Sequence, residues 1–446
     1  MINKMLVRIK KIVSDKDLVN TAINQLYRLV SGPLMLLFIP LYLTQEEQGY
    51  WYTFSSVAAL SVFADLGFSN IILQFAAHEF AFLKFKEDGT IYGDKVHLHK
   101  LADFFRFSVK WLCKVTLIVF PIIVIAGYFF INQKNNENIN WVMPWFIYSI
   151  SSALVFVNSS LLSFFEGCNS VAKVQRIRFK IAVLTSCVVL SGLFLKIKLF
   201  ALASSLIASA LLGSFLIYKN YKNLIIQLWK MSSVMFYSWK KEFLSLIWRY
   251  ALSWSSGYFL FQAFVPLAFK YYGEAVAGRV GLSLAVANVI LSIANIWMVS
   301  KITLLNILIS QKDWIKIKFL LKTVLKKSIL TFCILGITFL CLDVVFYYEF
   351  WLFQRLLMPY DMCILLIAWL LQLIVGILAT YLRAHKKEPM VWISIIDAVY
   401  VFFITLYIVK HQTITWLFIG FLSSFIFVIP YTLYIFYLQL QNDLKI

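Results

Sequence analysis

Runs of about twenty consecutive apolar residues recur along the whole chain, and they govern what it can fold into. A run of that length crosses the hydrocarbon core of a bilayer as an α-helix, because only a helix satisfies its own backbone polar groups there. Twelve such segments are predicted, at 20–43, 50–77, 106–131, 142–166, 180–196, 199–218, 250–270, 276–300, 328–348, 361–382, 391–410 and 414–438. Of 446 residues, 61% are hydrophobic and 14% charged, with a mean hydropathy of +0.81. A soluble domain carries roughly a quarter charged residues, so this chain has too little polar surface to cover a water-facing globule. The expected fold class is an all-α polytopic membrane protein of about 12 transmembrane helices.

The basic residues orient it. The net charge is +20, which in a soluble protein would point to nucleic acid. No recognisable nucleic-acid fold or basic-aromatic module accompanies it, and no nucleic-acid partner is expected. Taken from the amino terminus inward, 32 Lys and Arg fall in one set of connections and 7 in the other, with Arg28 and Lys114 inside helices. That bias places both termini in the cytoplasm and favours an even number of spans. The opening residues 1–19 are too charged for a signal-peptide core. Six cysteines lie in or beside apolar segments without a CxxC, and are read as ordinary buried thiols.

The domain organisation follows from a faint repeat. Phe38-Ile39-Pro40-Leu41 ends the first segment and Phe264-Val265-Pro266-Leu267 ends the seventh, about half a chain later. Each precedes an outer turn carrying Glu and then Gly: Glu46 and Gly49, Glu274 and Gly278. A six-plus-six duplication would relate two lobes by an axis along the membrane normal, with a cavity between them. The expected layout is a basic arm (1–19), an N-lobe (20–218), an amphipathic cytoplasmic linker (219–249), a C-lobe (250–438) and a short tail (439–446). In the linker, Phe236, Trp239, Phe243, Ile247 and Trp248 suggest a helix lying on the inner leaflet. Ala201, Ser205, Ser209 and Gly213 form a small-residue face for close helix approach.

Ionisable groups at membrane depth are costly and normally face a partner or a wet cavity. The deep ones are Arg28, Asp65 and Asp397, with Lys270 and Arg279 near the outer interface. Asn20, Asn24 and Arg28 line one face of the first segment, and Ser61, Asp65 and Ser69 one face of the second. Polar stripes on several helices imply a shared hydrated cavity. An Arg28–Asp65 clip and simple helix–helix bonding are the structural alternatives. Arg28, Asn24, Lys270 and Arg279 are candidates to bind an anionic group. Asp65 and Asp397 are candidates for ion coupling or charge pairing. No catalytic residue is expected, since GxGxxG, P-loop, HExxH and GxSxG are all absent. No metal site is expected either: His97 and His99 stand alone in a charged inner loop, and Glu46-Glu47 reads as an exposed acidic turn.

Several stretches carry a family likeness. FIPLYLT, the turn QEEQGYW and the following FSSVAALSVFADLGFSN resemble the start of the Wzx-type O-antigen flippases, of the polysaccharide-transporter branch of the multidrug/oligosaccharidyl-lipid/polysaccharide (MOP) exporter superfamily. Gly49-Tyr50-Trp51 and Asp65-Leu66-Gly67-Phe68 carry most of it, with Phe165-Glu166-Gly167 and Leu382-Arg383-Ala384 closing the fourth and tenth segments. The resemblance implies twelve helices in two six-helix lobes in the bacterial inner membrane. It implies a flippase that moves an undecaprenyl-pyrophosphate-linked oligosaccharide repeat unit to the periplasmic leaflet for O-antigen and lipopolysaccharide biosynthesis. Arg28, helped by Lys270 or Arg279, would attract the pyrophosphate. Asp65 or Asp397 could couple the cycle to H+ or Na+, and no other cofactor is implied. The expected partners are the lipid-linked oligosaccharide, membrane lipids, and a polysaccharide polymerase with its chain-length regulator. The rivals are an integral membrane O-antigen polymerase or ligase, which typically carries a large outer loop absent here, and a drug or cation exporter of the same superfamily.

Overall fold

A computed structural model describes residues 16–134, 138–231, 255–310, 312–385 and 389–444. Helices dominate it, in chain order α1 (Lys16–Tyr42), α2 (Gln45–Ala58), the short α3 (Val62–Asp65), α4 (Phe68–Phe80), α5 (Lys95–Asn132), α6 (Val142–Gly167), α7 (Val171–Phe194) and α8 (Leu199–Lys230). After the undescribed stretch come α9 over 255–261, α10 (Phe264–Tyr272), α11 (Glu274–Val299), α12 (Ile302–Ser310), α13 (Trp314–Phe346), α14 (Pro359–Ala384), α15 (Val391–His411) and α16 (Ile419–Leu444). Among the described residues ten helices are long and apolar enough to cross a membrane, and an eleventh span is the pair Gln45–Asp65 and Phe68–Phe80, bent by 42°. The protein is a multi-pass membrane protein. The remaining expected span, 250–270, begins outside the described residues, as does the amphipathic linker helix.

Several helices outrun the bilayer. α5 has 38 residues, about 57 Å of helix against a hydrocarbon core of about 30 Å. The stretches 78–105 and 301–327, between predicted spans, therefore carry much regular structure. The first is a β-hairpin, β1 (Leu83–Phe85) antiparallel to β2 (Ile91–Gly93), followed at once by α5. Gln227 of α8 gives and takes bonds with the Ile91 backbone, at 2.8 and 2.7 Å, and so closes one edge of the hairpin. His97 turns to Glu79 at 2.8 Å and stacks on Phe82. All six cysteines are free; Cys168 is buried, but Cys113, Cys187 and Cys341 are exposed rather than buried as expected.

The chain forms two compact units, one of Met1–Phe38 and Val57–Trp254, the other of Ile39–Ser56 and Ser255–Ile446. The outer half of the first hairpin thus belongs with the carboxy-terminal half. The first unit packs α4 to α8 against one another around an aromatic core. Phe165 lies flat on Tyr221, ring centroids 3.9 Å apart, and Tyr221 bonds Ser170 at 2.8 Å. The small-residue face of α8 is buried as expected: a Cβ on Gly213 would meet Asn158 Nδ2 at 2.8 Å, and Asn158 bonds the Ala210 carbonyl.

In the second unit, α10 to α16 pack around Trp369, whose indole donates to Asn288 Oδ1 at 3.0 Å. Its outer end holds the turns of both repeats. A Cβ on Gly49 would lie 1.9 Å from the Glu274 carbonyl oxygen, and one on Gly278 would lie 2.7 Å from that of Gln45. Only glycine allows backbones so close. Gln48 Nε2 donates to the Gly278 carbonyl at 2.7 Å, and Tyr50 packs edge-on against Phe269. The acidic turn is not a solvated loop. Thr44 and Glu47 form a reciprocal capping box, the Thr44 amide to Glu47 Oε2 at 3.0 Å and the Glu47 amide to Thr44 Oγ1 at 3.2 Å, and Glu47 is buried.

Candidate functional site

The polar face of α1 meets α7. Residues four apart stack on one side of a helix, so Asn20, Asn24 and Arg28 present one row. Arg176 Nε donates to Asn20 Oδ1 at 2.9 Å, and Asn24 Nδ2 donates to Gln175 Oε1 at 2.9 Å. Gln175 Nε2 passes the chain on to Glu166 Oε1 at 3.1 Å, and the other Glu166 oxygen takes Arg178 Nη1 at 2.8 Å. One turn beyond Asn24, Arg28 reaches a cavity of about 370 Å³ inside the first unit. Its polar lining is Arg28, Arg178, Asn158, Ser159, Thr185, Ser186 and Ser209. The Arg28 and Arg178 guanidiniums are near enough to repel. Among the described residues Arg28 has no carboxylate of its own. Glu166 pairs with Arg178 and not with Arg28, so two guanidiniums and one carboxylate leave the site with net positive charge amid hydroxyl and amide groups. Such a site fits an anion with several acceptor oxygens.

Arg178, Gln175 and Glu166 were not singled out as site residues from the sequence. Arg178 lies before the predicted span 180–196, but α7 begins at Val171 and carries it two turns into the helix. The spacing of Gln175 and Arg178, three apart with no Gly or Pro between Val171 and Ser191, was the available signal. Glu166 lay in a motif noted only for its likeness. Its neighbours in that motif have packing roles: Phe165 on Tyr221, and Gly167 so close to α4 that a Cβ would meet the Leu73 carbonyl oxygen at 2.5 Å.

Asp65 does not pair with Arg28. The second span breaks at Leu66 and Gly67, both left-handed with φ of 46° and 76°, and Asp65 stands at the break. Its Oδ1 accepts from the Ser69 amide at 3.1 Å and the Ser69 hydroxyl at 2.6 Å, taking up a donor that the start of α4 leaves free. Ser69 goes on to Ser160 of α6 at 3.1 Å.

The other candidates belong to the second unit. Arg279 Nη2 donates to Gln45 Oε1 at 3.2 Å, part of the contact between the two turns. Burial pushes the nearby Arg355 guanidinium below its usual range; Glu46 opposes the shift, and Arg279 adds to it. Lys270, in the last turn of α10, is exposed and lies over the Tyr271 ring at 5.7 Å. Asp397 is 4% exposed, with Oδ1 unpartnered among the described residues and Ser424 within bonding reach of the carboxylate. Asp343 and Asp361, 0% and 3% exposed, have no hydrogen-bond partner for any of their four oxygens among the described residues. Neither was singled out as a site residue from the sequence.

No family model and no curated relative matches the sequence. Solved structures do match. An inward-facing multidrug resistance MATE family transporter of the MOP superfamily shares 14% identity, with 92% of this chain and 99% of that chain covered, at a TM-score of 0.59. The chain has the fold of a MOP-superfamily transporter. An outward-facing MATE transporter gives a TM-score of 0.54 at 12% identity, over 96% of this chain and 94% of that one. A MOP superfamily transporter from Pyrococcus furiosus, described as having a binding pocket of reverse polarity, gives 0.54 at 11% identity over 97% and 95%. These likenesses extend along nearly the whole chain.

Proposed function

We propose that the chain is a flippase for an undecaprenyl-pyrophosphate-linked oligosaccharide, working by alternating access in the bacterial inner membrane. The observation that carries the reading is the Arg28–Arg178 pair on a hydroxyl-lined cavity. A pyrophosphate offers two anionic groups to two guanidiniums, and the surrounding serines, threonine and asparagine suit sugar hydroxyls. The cavity is sized for a headgroup (about 300–1,000 Å³ is usual for a small-molecule pocket), so the polyprenyl tail stays in lipid. The superfamily's drug and cation exporters share the fold. A cationic cargo would meet two guanidiniums here, with Glu166 already engaged by Arg178. The reverse pocket polarity named for the Pyrococcus furiosus transporter shows the contrast by which members of this fold can be sorted.

In this reading Asn24 positions the network and Arg28 and Arg178 hold the pyrophosphate. Lys270 or Arg279 would help attract the anion, and a buried carboxylate such as Asp397 would couple the cycle to H+ or Na+. A polysaccharide polymerase and chain-length regulator would take up the product. The test is to delete the gene in a strain with an otherwise intact polysaccharide locus and assay the leaflet in which the lipid-linked unit accumulates. Inner-leaflet accumulation supports the flippase. Single units on surface lipid A without polymer would indicate a polymerase instead.

A further inference from the structure

We propose that Glu166 is a resident competitor for the cargo's phosphate: it holds Arg178 while the cavity is empty and yields it when a diphosphate bridges Arg28 and Arg178. The proposal rests on the reading of the cavity as a phosphate site. Both Glu166 oxygens are engaged, one by Arg178 at 2.8 Å and one by Gln175 at 3.1 Å. Gln175 is itself held by Asn24, one turn from Arg28 on the same face of α1. The network therefore joins the one carboxylate to both sides of the cavity. Without Glu166, two guanidiniums would line the same cavity with no carboxylate on either, with Arg178 three-quarters buried. With it, Arg178 is neutralised and oriented, and Arg28 alone is left to meet an incoming anion. Loading is then an exchange: one phosphate takes the place of the carboxylate on Arg178 while the other binds Arg28. The change is confined to the side chain. Gly167 holds the adjacent backbone against α4, where even a Cβ would not fit, so the end of α6 stays in place. The carboxylate makes binding weaker and release easier, which suits a carrier that must let go of its cargo on the far side.

The test measures equilibrium binding of undecaprenyl pyrophosphate to the purified full chain in nanodiscs. Undecaprenol, which lacks phosphate, is the control. Glu166→Gln keeps an oxygen for Arg178 and removes the competing charge. It is expected to tighten binding roughly tenfold, since a hydrogen bond to a neutral group is about half as strong as one to an ion. Glu166→Asp, which keeps the charge on a shorter arm, is expected to shift binding the same way by less. Undecaprenol retention is expected to be unchanged in both. Binding by Glu166→Gln equal to or weaker than that of the wild type, at unchanged thermal stability, would overturn the proposal, because a merely structural carboxylate gives no gain when neutralised. Arg28→Ala is measured alongside. If it binds normally, the phosphate reading itself fails. If it weakens binding while Glu166→Gln does not tighten it, the cavity reading stands and only the role of Glu166 falls.

Discussion

The two units treat buried charge in opposite ways. In the first, charges at membrane depth are exposed to a cavity, bridged by amides and in excess of positive sign: Arg28, Arg178 and Glu166 with Asn24 and Gln175 between them. In the second, three carboxylates are sealed in, and Asp343 and Asp361 have no partner on any oxygen among the described residues. Its outer end has backbones in close contact at Gly49 and Gly278. A wet, cationic cavity attracts an anion without having to move. A contact made of glycine backbones, by contrast, can part only if the backbones separate. Under the proposed function, the contrast would put recognition in the first unit and ion linkage in the second.

The largest effect should come from removing the cationic pair. Arg28→Ala or Arg178→Ala should abolish surface polymer at unchanged protein level, and Arg28→Lys should retain part of it, because an ammonium keeps the charge but loses the fork. Full display by either alanine variant would erase the distinction between the units. The closure prediction uses glycines. Gly49→Ala forces a Cβ to 1.9 Å from a carbonyl oxygen and should destabilise the purified protein by about 1–3 kcal/mol. Gly376→Ala, in mid-α14 with nothing within 4 Å, should stabilise it by about 0.5–1 kcal/mol. Both are read by thermal unfolding in detergent. For the sealed acids, Asp343→Asn replaces, at constant shape, a buried carboxyl group that has no hydrogen-bond partner among the described residues. It should leave the fold intact and raise stability by about 1 kcal/mol, whereas a loss of that size would mean the carboxylate has a partner it needs. The smallest effect should be at Asp65. Asp65→Ala should cost about 1 kcal/mol, as the loss of a helix cap does, with polymer still displayed. Loss of display at normal protein level would return Asp65 to the list of coupling groups.

Much of the architecture was legible because apolar runs and the positive bias follow from the bilayer itself. The two turns that the sequence repeat marks, Glu46 to Gly49 and Glu274 to Gly278, meet in the second unit. What escaped was set by contacts between residues distant in sequence. Asn24 and Gln175 are 151 positions apart, and nothing local to either names the other. Arg178 was hidden by a helix that starts earlier than its hydrophobic run, since polar first turns lower the hydropathy at the point where the helix begins. Glu47 was misread as solvated although Thr44-x-x-Glu47 is a capping pattern that the sequence displays openly. Asp65 looked like half of an ion pair because charges were matched by depth; the left-handed Leu66 and Gly67 turn it into a local cap.

One measurement tests the anion reading most directly. Undecaprenyl pyrophosphate is titrated into the purified full chain in nanodiscs, wild type against the Arg28→Ala, Arg178→Ala double variant, with undecaprenol as the phosphate-free control. Two lost charge-assisted contacts predict binding weaker by about a hundredfold or more for the pyrophosphate and unchanged for the alcohol. Equal affinity of the two proteins for the pyrophosphate, or an equal loss for the alcohol, would contradict it.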